Sequence, residues 1–350
     1  MRVIRGESTR RGLLAGAVGA ALIATAGLPG QAQAEGELNI YSSRHYDTDE
    51  RLYSDFEEQT GITINRIEDS ADVLLERISS EGANSPADLL ITVDAGRLWR
   101  AEDMGLLAPV ENDVLSERIP ANLRDDEGHW FGFSQRVRTI FYNSDEVENP
   151  PQTYEALADP QYEGMVCTRT SSNIYMLSLM AAMIEHKGEE AAEAWAAGVW
   201  NNRARDPQGG DTDQLRAVVS GECQIVLAND YYFGRALRKD VDGLTGSTDM
   251  FGWVFPNQAT TGAHANISGA GVVATAPNRE NAIAFLEYLA SDQAQLYFAE
   301  GNDERPVVAG VELPDSLKQM GEFEKDEITL TSYGANQALA QQIYDRVGFE

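Results

Sequence analysis

The chain has 350 residues, with 27 Lys and Arg against 56 Asp and Glu, and a formal net charge of −29 at pH 7. Four arginines and one glutamate lie in residues 1–34, so the rest of the chain carries 23 basic and 55 acidic residues, a net charge of −32. This charge disfavours nucleic acid and anionic membrane surfaces as partners. It is typical of a solvated acidic surface, and it would equally attract cations to a cleft.

The first 34 residues have the pattern of an export signal. Residues 10–11 are a twin arginine, 13–28 are apolar and rich in Ala and Gly, and 32–34 form a small-x-small cleavage site. A membrane anchor is the alternative, but the apolar stretch is short and weakly hydrophobic for a spanning helix. We therefore predict that 1–34 is a twin-arginine signal and that the mature chain is periplasmic. No later segment has the roughly 18 apolar residues of a membrane span, so we expect no insertion after signal removal.

After this segment, strand and helix patterns alternate along the chain. A first set predicts strands over 38–41, 62–67 and 88–93, with helices over 49–59 and 71–79. The run 88–93 is almost continuously apolar, as expected for a parallel strand that is covered on both faces. A second set predicts strands over 166–168, 223–228 and 251–255, with helices over 173–186 and 189–200. Two further helices are predicted nearer the end of the chain, over 279–289 and 334–347. This alternation predicts an α/β fold.

Two long β-like segments separate the two sets. Residues 130–143 (WFGFSQRVRTIFYN) lead from the first set to the second, and residues 264–275 (HANISGAGVVAT) lead back. A chain that leaves one lobe, builds another and returns places a binding site in the cleft between them. We therefore predict two lobes, each a mixed sheet flanked by helices. The N-terminal lobe would comprise 35–136 and 268–350, and the C-terminal lobe would comprise 137–267.

Four tyrosines and one histidine occur in three short motifs, each just after a predicted strand. They are His45-Tyr46 in YSSRHYD, Tyr175 in SSNIYMLS and Tyr231-Tyr232 in ANDYYFGR. Taken singly, each motif is more typical of ordinary aromatic packing. Open α/β sheets bind ligands at strand ends, so their shared placement favours a common site in the cleft.

Phenolate oxygens with one imidazole form a hard, anionic ligand set. A free tyrosine has a pKa near ~10, but a trivalent cation stabilises the phenolate and displaces the proton. Soft or borderline metals prefer more Cys or His, and calcium or magnesium prefer carboxylates and carbonyls. The set therefore predicts a site for ferric iron. Ferrous iron would bind with fewer of the tyrosines ionised.

The chain resembles the periplasmic ferric-iron-binding proteins of ABC importers, in the branch that uses one His and four Tyr. Matching stretches such as LNIYSSRHYDTDE, CTRTSSNIYMLSLMAAMI and CQIVLANDYYFGR span essentially the whole mature chain. The resemblance implies a monomeric, two-lobed periplasmic solute-binding protein of type II, which delivers Fe3+ to a membrane permease driven by an ATPase. The ligands it implies are His45, Tyr46, Tyr175, Tyr231 and Tyr232.

The resemblance also implies residues around the ligands. Arg205, in ARDPQGG, matches a family arginine that lies behind the iron and offsets phenolate charge. Arg136 and Arg138, in FSQRVRT, match the region where some relatives hold a synergistic anion such as carbonate, which this branch often does not need. An ordinary surface or hinge ion pair is the alternative for all three. Asp230 adds a carboxylate before the tyrosine pair, and we expect it not to contact the metal.

Cys167 and Cys223 are the two cysteines of the chain. Each precedes a motif tyrosine by eight residues and falls within a predicted strand, so a disulfide would join those two strands. An exported protein meets oxidising conditions, which permit such a bond. Two buried free thiols fit the sequence equally well.

Two other functions fit parts of the pattern. A two-lobed receptor for an organic ion, such as a polyamine or a phosphonate, would stack its ligand on the tyrosines. A ferric–tyrosinate enzyme, such as a ring-cleaving dioxygenase, would need an open coordination position and usually more than one His. We predict a binding protein rather than an enzyme.

Overall fold

The computed structural model describes residues 36–44 and 46–349. The predicted export signal at 1–34 and the predicted ligand His45 lie outside the described residues. In the described part of the chain, the strands are β1 (Gly36–Ser42), β2 (Ile62–Glu68), β3 (Leu89–Thr92), β4 (Phe131–Asn143), β5 (Val166–Cys167), β6 (Ile225–Asn229), β7 (Phe251–Val254), β8 (Ala265–Val272) and β9 (Arg305–Pro306). The helices of the same part are α1 (Glu50–Thr60), α2 (Ala71–Glu81), α3 (Ala95–Asp103), α4 (Asp113–Arg118), α5 (Ile174–Lys187), α6 (Glu189–Asn201), α7 (Asp211–Val219), α8 (Asp230–Arg238), α9 (Arg279–Leu289), α10 (Asp292–Asn302), α11 (Asp315–Lys318) and α12 (Thr331–Val347). None of these helices is long and apolar enough to cross a membrane.

The strands form a mixed sheet in the order β2-β1-β3-β8-β4-β6-β5, and β7 and β9 also pair with β4. β1 is parallel to β2 and β3, and β5 is parallel to β6. β4 and β8 are antiparallel to each other and to the strands beside them. Parallel strands joined through helices are the units that the sequence predicts, so the α/β class is confirmed.

β4 connects the two parts of the sheet. It is 13 residues long, and its first half pairs with β8 while its second half pairs with β6. Every residue of β4 except Tyr142 is buried. β4 and β8 are the segments that the sequence predicts as the two crossovers between lobes. β4 is therefore a continuous buried strand that joins the two parts of the sheet.

Buried apolar side chains form three clusters. The first surrounds β1, β3 and the start of β4. The other two lie on opposite faces of β6, because Ile225 and Leu227 face α5 and α6 while Val226 and Ala228 face α7 and α8. One lobe therefore has helices on both faces of its sheet, as predicted for a two-lobed α/β protein.

The end of the chain packs differently from the prediction, which assigned all of 268–350 to the N-terminal lobe. Ala340, Ile343 and Tyr344 of α12 belong to the apolar cluster of α5 and α6, and Leu317 of α11 belongs to that of α7 and α8. α12 also contacts α3. The tail therefore covers both lobes, because its buried side chains are shared between two cores.

The structure contains helices that the pattern did not predict, and α8 is the most important of them for the site. It begins directly after β6 and is nine residues long. It starts Asp-Tyr-Tyr-Phe, and these residues have modest helix propensity. Its buried residues include the charged Asp230 and the small Gly234 beside Tyr231 and Phe233, so few of its positions carry an apolar signal that would identify a helix from sequence.

Candidate functional site

Strand and helix ends bring the motif tyrosines to one place. β5 and β6 are adjacent and parallel, so their carboxyl ends lie at the same edge of the sheet. Tyr175 lies in the first turn of α5, and Tyr231 and Tyr232 lie in the first turn of α8. Tyr46 follows the end of β1 by four residues. We call Tyr46, Tyr175, Tyr231 and Tyr232 the tyrosine cluster.

Within the tyrosine cluster, Tyr231 contacts both Tyr46 and Tyr232. The hydroxyl oxygens of Tyr46 and Tyr231 are 3.0 Å apart, within hydrogen-bond distance. The ring centroids of Tyr231 and Tyr232 are 4.2 Å apart. Tyr231 is fully buried and Tyr175 is 6% exposed, whereas Tyr46 and Tyr232 are half-buried. The phenols are thus gathered and largely shielded from water, which strengthens electrostatic interactions among them.

Burial also determines the protonation of these phenols. It raises the pKa of Tyr46, Tyr231 and Tyr232 above the usual value for tyrosine, and the nearby Tyr175 raises it further in each case. Without a cation these three side chains are therefore protonated at neutral pH. A ligand that uses them as phenolates must displace their protons, which requires a small cation of high charge.

The tyrosine cluster borders a cleft of about 1080 Å³. Tyr175, Tyr232 and Arg169 line it together with residues that follow β1 and β2, among them Ser43 and Asp69. The lining therefore comes from both parts of the sheet. A ligand held there contacts both lobes at once.

A buried ion-pair network lies against Tyr46. Nη2 of Arg44 and Nη2 of Arg136 are each 2.8 Å from an oxygen of Glu304, and Nε of Arg44 is 2.7 Å from Asp49. Burial alone would raise the pKa of Glu304, but the two arginines outweigh it and lower the pKa to about 2. Two cations thus balance two anions. The Arg44 guanidinium lies 4.9 Å from the Tyr46 ring centroid.

A second group of charges surrounds Tyr175. Nη1 of Arg138 is 2.7 Å from Asp211, and Nη1 of Arg169 is 3.7 Å from the same carboxylate. The two guanidinium groups lie 5.9 Å and 5.5 Å from the Tyr175 ring centroid. Two cations share one anion here, so this side of the site carries one excess positive charge.

The residues of the predicted anion site, Arg136 and Arg138, are buried, and each side chain is 1% exposed. Glu304 and Asp211 each take one side of these guanidinium groups, as described above. Nε of each arginine has no hydrogen-bond acceptor among the described residues. Anion binding at this pair stays a prediction.

The structure also does not bring Arg205 to the tyrosine cluster. Its Nε is 3.0 Å from Glu222, and its Nη2 donates to Gln214 at 3.2 Å. Nη1 donates to the carbonyl of Asp206. The predicted role of Arg205 in offsetting phenolate charge therefore has no support in its contacts, because a glutamate nearby takes up its charge.

Asp230 is buried and its two oxygens are both engaged. One accepts hydrogen bonds from the backbone N–H groups of Val137 and Tyr231, each at 3.0 Å, and the other pairs with Arg305 at 2.7 Å. The expectation that this carboxylate would not serve as a metal ligand agrees with these contacts.

Cys167 and Cys223 form a disulfide, with their Cα atoms 5.9 Å apart. Cys167 ends β5, whereas Cys223 lies two residues before β6 rather than within it. The bond therefore ties together the two strands that lead to α5 and α8. These helices carry three of the four tyrosines.

Arg235, which was not among the predicted site residues, lies one helical turn after Tyr231 on α8. Its guanidinium carbon is 5.7 Å from the ring centroids of both Tyr231 and Tyr232 and 6.0 Å from that of Tyr46. Residues four apart share a helix face, so the spacing would have revealed this contact had α8 been predicted as a helix.

A two-lobed α/β fold with a polar cleft between its lobes is the architecture of a solute receptor. Residues 84–323 match the family described as bacterial extracellular solute-binding protein, and the chain belongs to that family.

Individual relatives show which kinds of solute-binding protein this chain is similar to. The chain is 49% identical to iron uptake protein A1 of Synechocystis sp. over 323 residues, which are 92% of this chain and 89% of the relative. A Trichodesmium structure, IdiA (FutA) in complex with iron and citrate, superposes with a TM-score of 0.85 at 51% identity and covers 90% of this chain and 100% of its own. The ferric binding protein of Campylobacter jejuni superposes with a TM-score of 0.86 at 38% identity, covering 89% of this chain and 100% of its own.

Proposed function

We propose that the protein binds ferric iron in the cleft and delivers it to an ABC-type importer. The observation that carries this proposal is the convergence of four buried or half-buried phenols, with the hydroxyl oxygens of Tyr46 and Tyr231 3.0 Å apart. No ordinary packing demand gathers four hydroxyls from three separate segments. The names of the relatives, which are iron uptake and ferric binding proteins, support the same cargo.

The proposed ligands are Tyr46, Tyr175, Tyr231 and Tyr232, together with His45, which lies outside the described residues. Four phenolates, a neutral imidazole and Fe3+ give a net charge of −1. Because phenols must lose protons to bind, uptake should release protons, and affinity should fall as the pH is lowered. Ferrous iron would displace fewer protons and is the alternative cargo.

The proposed place of action is the periplasm. The twin-arginine pattern at 1–34 supports export, and membership of an extracellular solute-binding family fits the same route. The proposed partners are a membrane permease and its ATPase, which would receive the loaded monomer. The crossover strands β4 and β8 are the natural hinge for closure of the lobes on the cargo.

The test is a titration of the metal-free protein with Fe3+ in the visible range. Phenolate-to-iron charge transfer should colour the wild-type protein. Tyr175→Phe and Tyr231→Phe should each lose or weaken the band and retain less iron on dialysis, because each removes one anionic ligand. Tyr297→Phe is the matched control, since Tyr297 lies on α10 beside Arg51, outside the tyrosine cluster.

A wild-type protein that stays colourless with Fe3+ and retains no iron would contradict the proposal. Turnover of a catechol by the coloured protein would instead favour the ferric–tyrosinate enzyme. Retention of a polyamine or phosphonate without iron would favour the organic-ion receptor.

A further inference from the structure

Asp94 is a buried carboxylate at which four elements meet. It follows β3 by two residues and is 0% exposed. One of its oxygens accepts hydrogen bonds from the backbone N–H of Arg97 in α3 and from Nε2 of Gln337 in α12, each at 3.0 Å. The other oxygen accepts from Nδ2 of Asn266 in β8 at 2.7 Å and from the hydroxyl of Ser178 in α5. Hydrogen bonds to a carboxylate oxygen are short and strong, so this side chain fixes four elements relative to one another.

The hydrogen bond between Asp94 and Ser178 crosses from one apolar core to another. The apolar residues of β3 and α3 belong to the first cluster, whereas most of those of α5 belong to the cluster that includes α6. Ser178 is also fully buried, so water does not compete for the bond. The bond therefore fixes the position of α5 against the end of β3.

The same two parts of the molecule supply Tyr46 and Tyr175. β1 and β3 are adjacent and parallel, so Tyr46, four residues after β1, and Asp94, two residues after β3, lie at the same edge of the sheet. Tyr175 and Ser178 are three positions apart on α5, which makes them neighbours on the helix surface. A shift of α5 that broke the bond to Asp94 would therefore also move Tyr175 relative to Tyr46.

We propose that Asp94 is a positioning residue for the cargo site. Through Ser178 it holds the first two turns of α5, and so it sets where the Tyr175 phenol meets a cation that Tyr46 also binds. Metal–ligand distances tolerate deviations of only about 0.2 Å, so a small displacement of α5 lowers the affinity for the cation. The inference rests on the proposed function, because Tyr46 and Tyr175 are ligands proposed there.

Asp88, at the other end of β3, is a matched comparison. It is also fully buried, and it accepts side-chain hydrogen bonds from Nδ2 of Asn39 at 3.0 Å and from Nδ2 of Asn278 at 3.1 Å. Asn39 lies on β1 and Asn278 directly precedes α9, and the apolar residues of both elements belong to the first cluster. Asp88 therefore ties together elements of one core, whereas Asp94 ties one core to another.

The experiment measures affinity for Ga3+, which is trivalent and redox-inert, in Ser178→Ala and in Asn278→Ala as the control. Each substitution removes one side-chain donor from a buried carboxylate beside β3, so both should lower the thermal midpoint of the metal-free protein. Ser178→Ala should also weaken Ga3+ binding by roughly tenfold or more, as is typical for the loss of a residue that orients a metal ligand. Asn278→Ala should leave the Ga3+ affinity unchanged.

A further variant tests whether the effect of Ser178 passes through Asp94. Asp94→Ala should weaken Ga3+ binding at least as much as Ser178→Ala does. The double variant Asp94→Ala/Ser178→Ala should bind Ga3+ about as tightly as Asp94→Ala alone, because two residues that act through one contact do not contribute additively. Where Asp94→Ala does not fold, the comparison of Ser178→Ala with Asn278→Ala decides the inference.

Three results would overturn the inference: unchanged Ga3+ affinity in Ser178→Ala, equal weakening in Asn278→Ala, or additive losses in the double variant. The second of these would show that any loss of stability weakens binding, which is a merely structural role. A wild-type protein that binds neither Fe3+ nor Ga3+ would instead overturn the proposed function, and this inference with it.

Discussion

His264 is a buried histidine whose ring is not used for hydrogen bonding in the described structure. It is 3% exposed, its Nδ1 has no hydrogen-bond partner, and its ring lies 4.7 Å from that of Tyr333. Its backbone accepts a bond from the N–H of Arg138 and donates one to the hydroxyl of Tyr154, each at 3.0 Å. His264 therefore joins β4 to the start of β8 through its backbone. Burial, together with the nearby charge of Arg138, lowers the pKa of the ring to about 3.

This histidine should make the protein sensitive to acid. The unfolded chain binds a proton at His264 near pH ~6.5, whereas the folded chain does not until about pH 3. Stability is therefore complete above the unfolded pKa and falls as the pH drops, by about 1.4 kcal/mol per pH unit for this one group. Between about pH 6 and pH 4, the free energy of unfolding measured in urea should depend less steeply on pH in His264→Gln than in the wild type. The difference in slope should correspond to one bound proton. An equal slope in both proteins would contradict this.

The tyrosines are easier to predict from the sequence than the ion pairs that surround them. Each motif tyrosine lies near the end of a strand that a local apolar pattern identifies. The ion pairs are not local, since Arg136 and Glu304 are 168 positions apart. A sequence shows that an arginine is present, but the carboxylate that takes up its charge is decided by the fold. This is why the sequence could not show which carboxylates pair with Arg205, Arg136 and Arg138.

At the scale of helices and strands, the disulfide constrains β5 and β6, the two strands that lead to the tyrosines of α5 and α8. Cys167 and Cys223 are 56 residues apart in sequence, so their bond closes a long loop in the unfolded chain. The chain-entropy treatment of such a loop gives a stabilisation of about 4 kcal/mol. The double substitution Cys167→Ser/Cys223→Ser should therefore lower the free energy of unfolding in urea by about 2–4 kcal/mol.

Reducing agent separates the bond from the side-chain changes. Dithiothreitol should lower the stability of the wild-type protein towards that of the double variant and leave the variant unaffected. Wild-type stability that does not change on full reduction would show that the bond contributes nothing. Weaker iron retention by the double variant would further show that the bond sets the spacing of α5 and α8.

A clear apolar face made some helices easier to predict from the sequence than others. α9 was predicted at its observed limits, because it is long and has an apolar face. α8 was missed, because it is short and its residues face both the core and the site. Its omission hid the relation between Tyr231 and Arg235, which exists only when they lie one helical turn apart.

Over the whole molecule, the acidic excess should govern the response to salt. Residues 35–350 carry 23 basic and 55 acidic residues, so like charges repel one another across the surface. Added NaCl should raise the thermal midpoint of a protein that comprises these residues. Most of the gain should come by about 0.15 M, where the screening length is about 8 Å. KCl should give the same curve, and a midpoint that is flat or falls with salt would contradict the expectation.

Local patterns and short motifs predict the α/β class, the two long strands that run between the sets of elements, and the tyrosine motifs, because none of these depends on distant contacts. The fold decided the other features. It placed α12 across both lobes, paired Arg136 and Arg138 with buried carboxylates, and left Arg235 facing three phenols. Those outcomes depend on which distant side chains meet in a poorly solvated interior, where a single neighbouring charge changes the role of a residue.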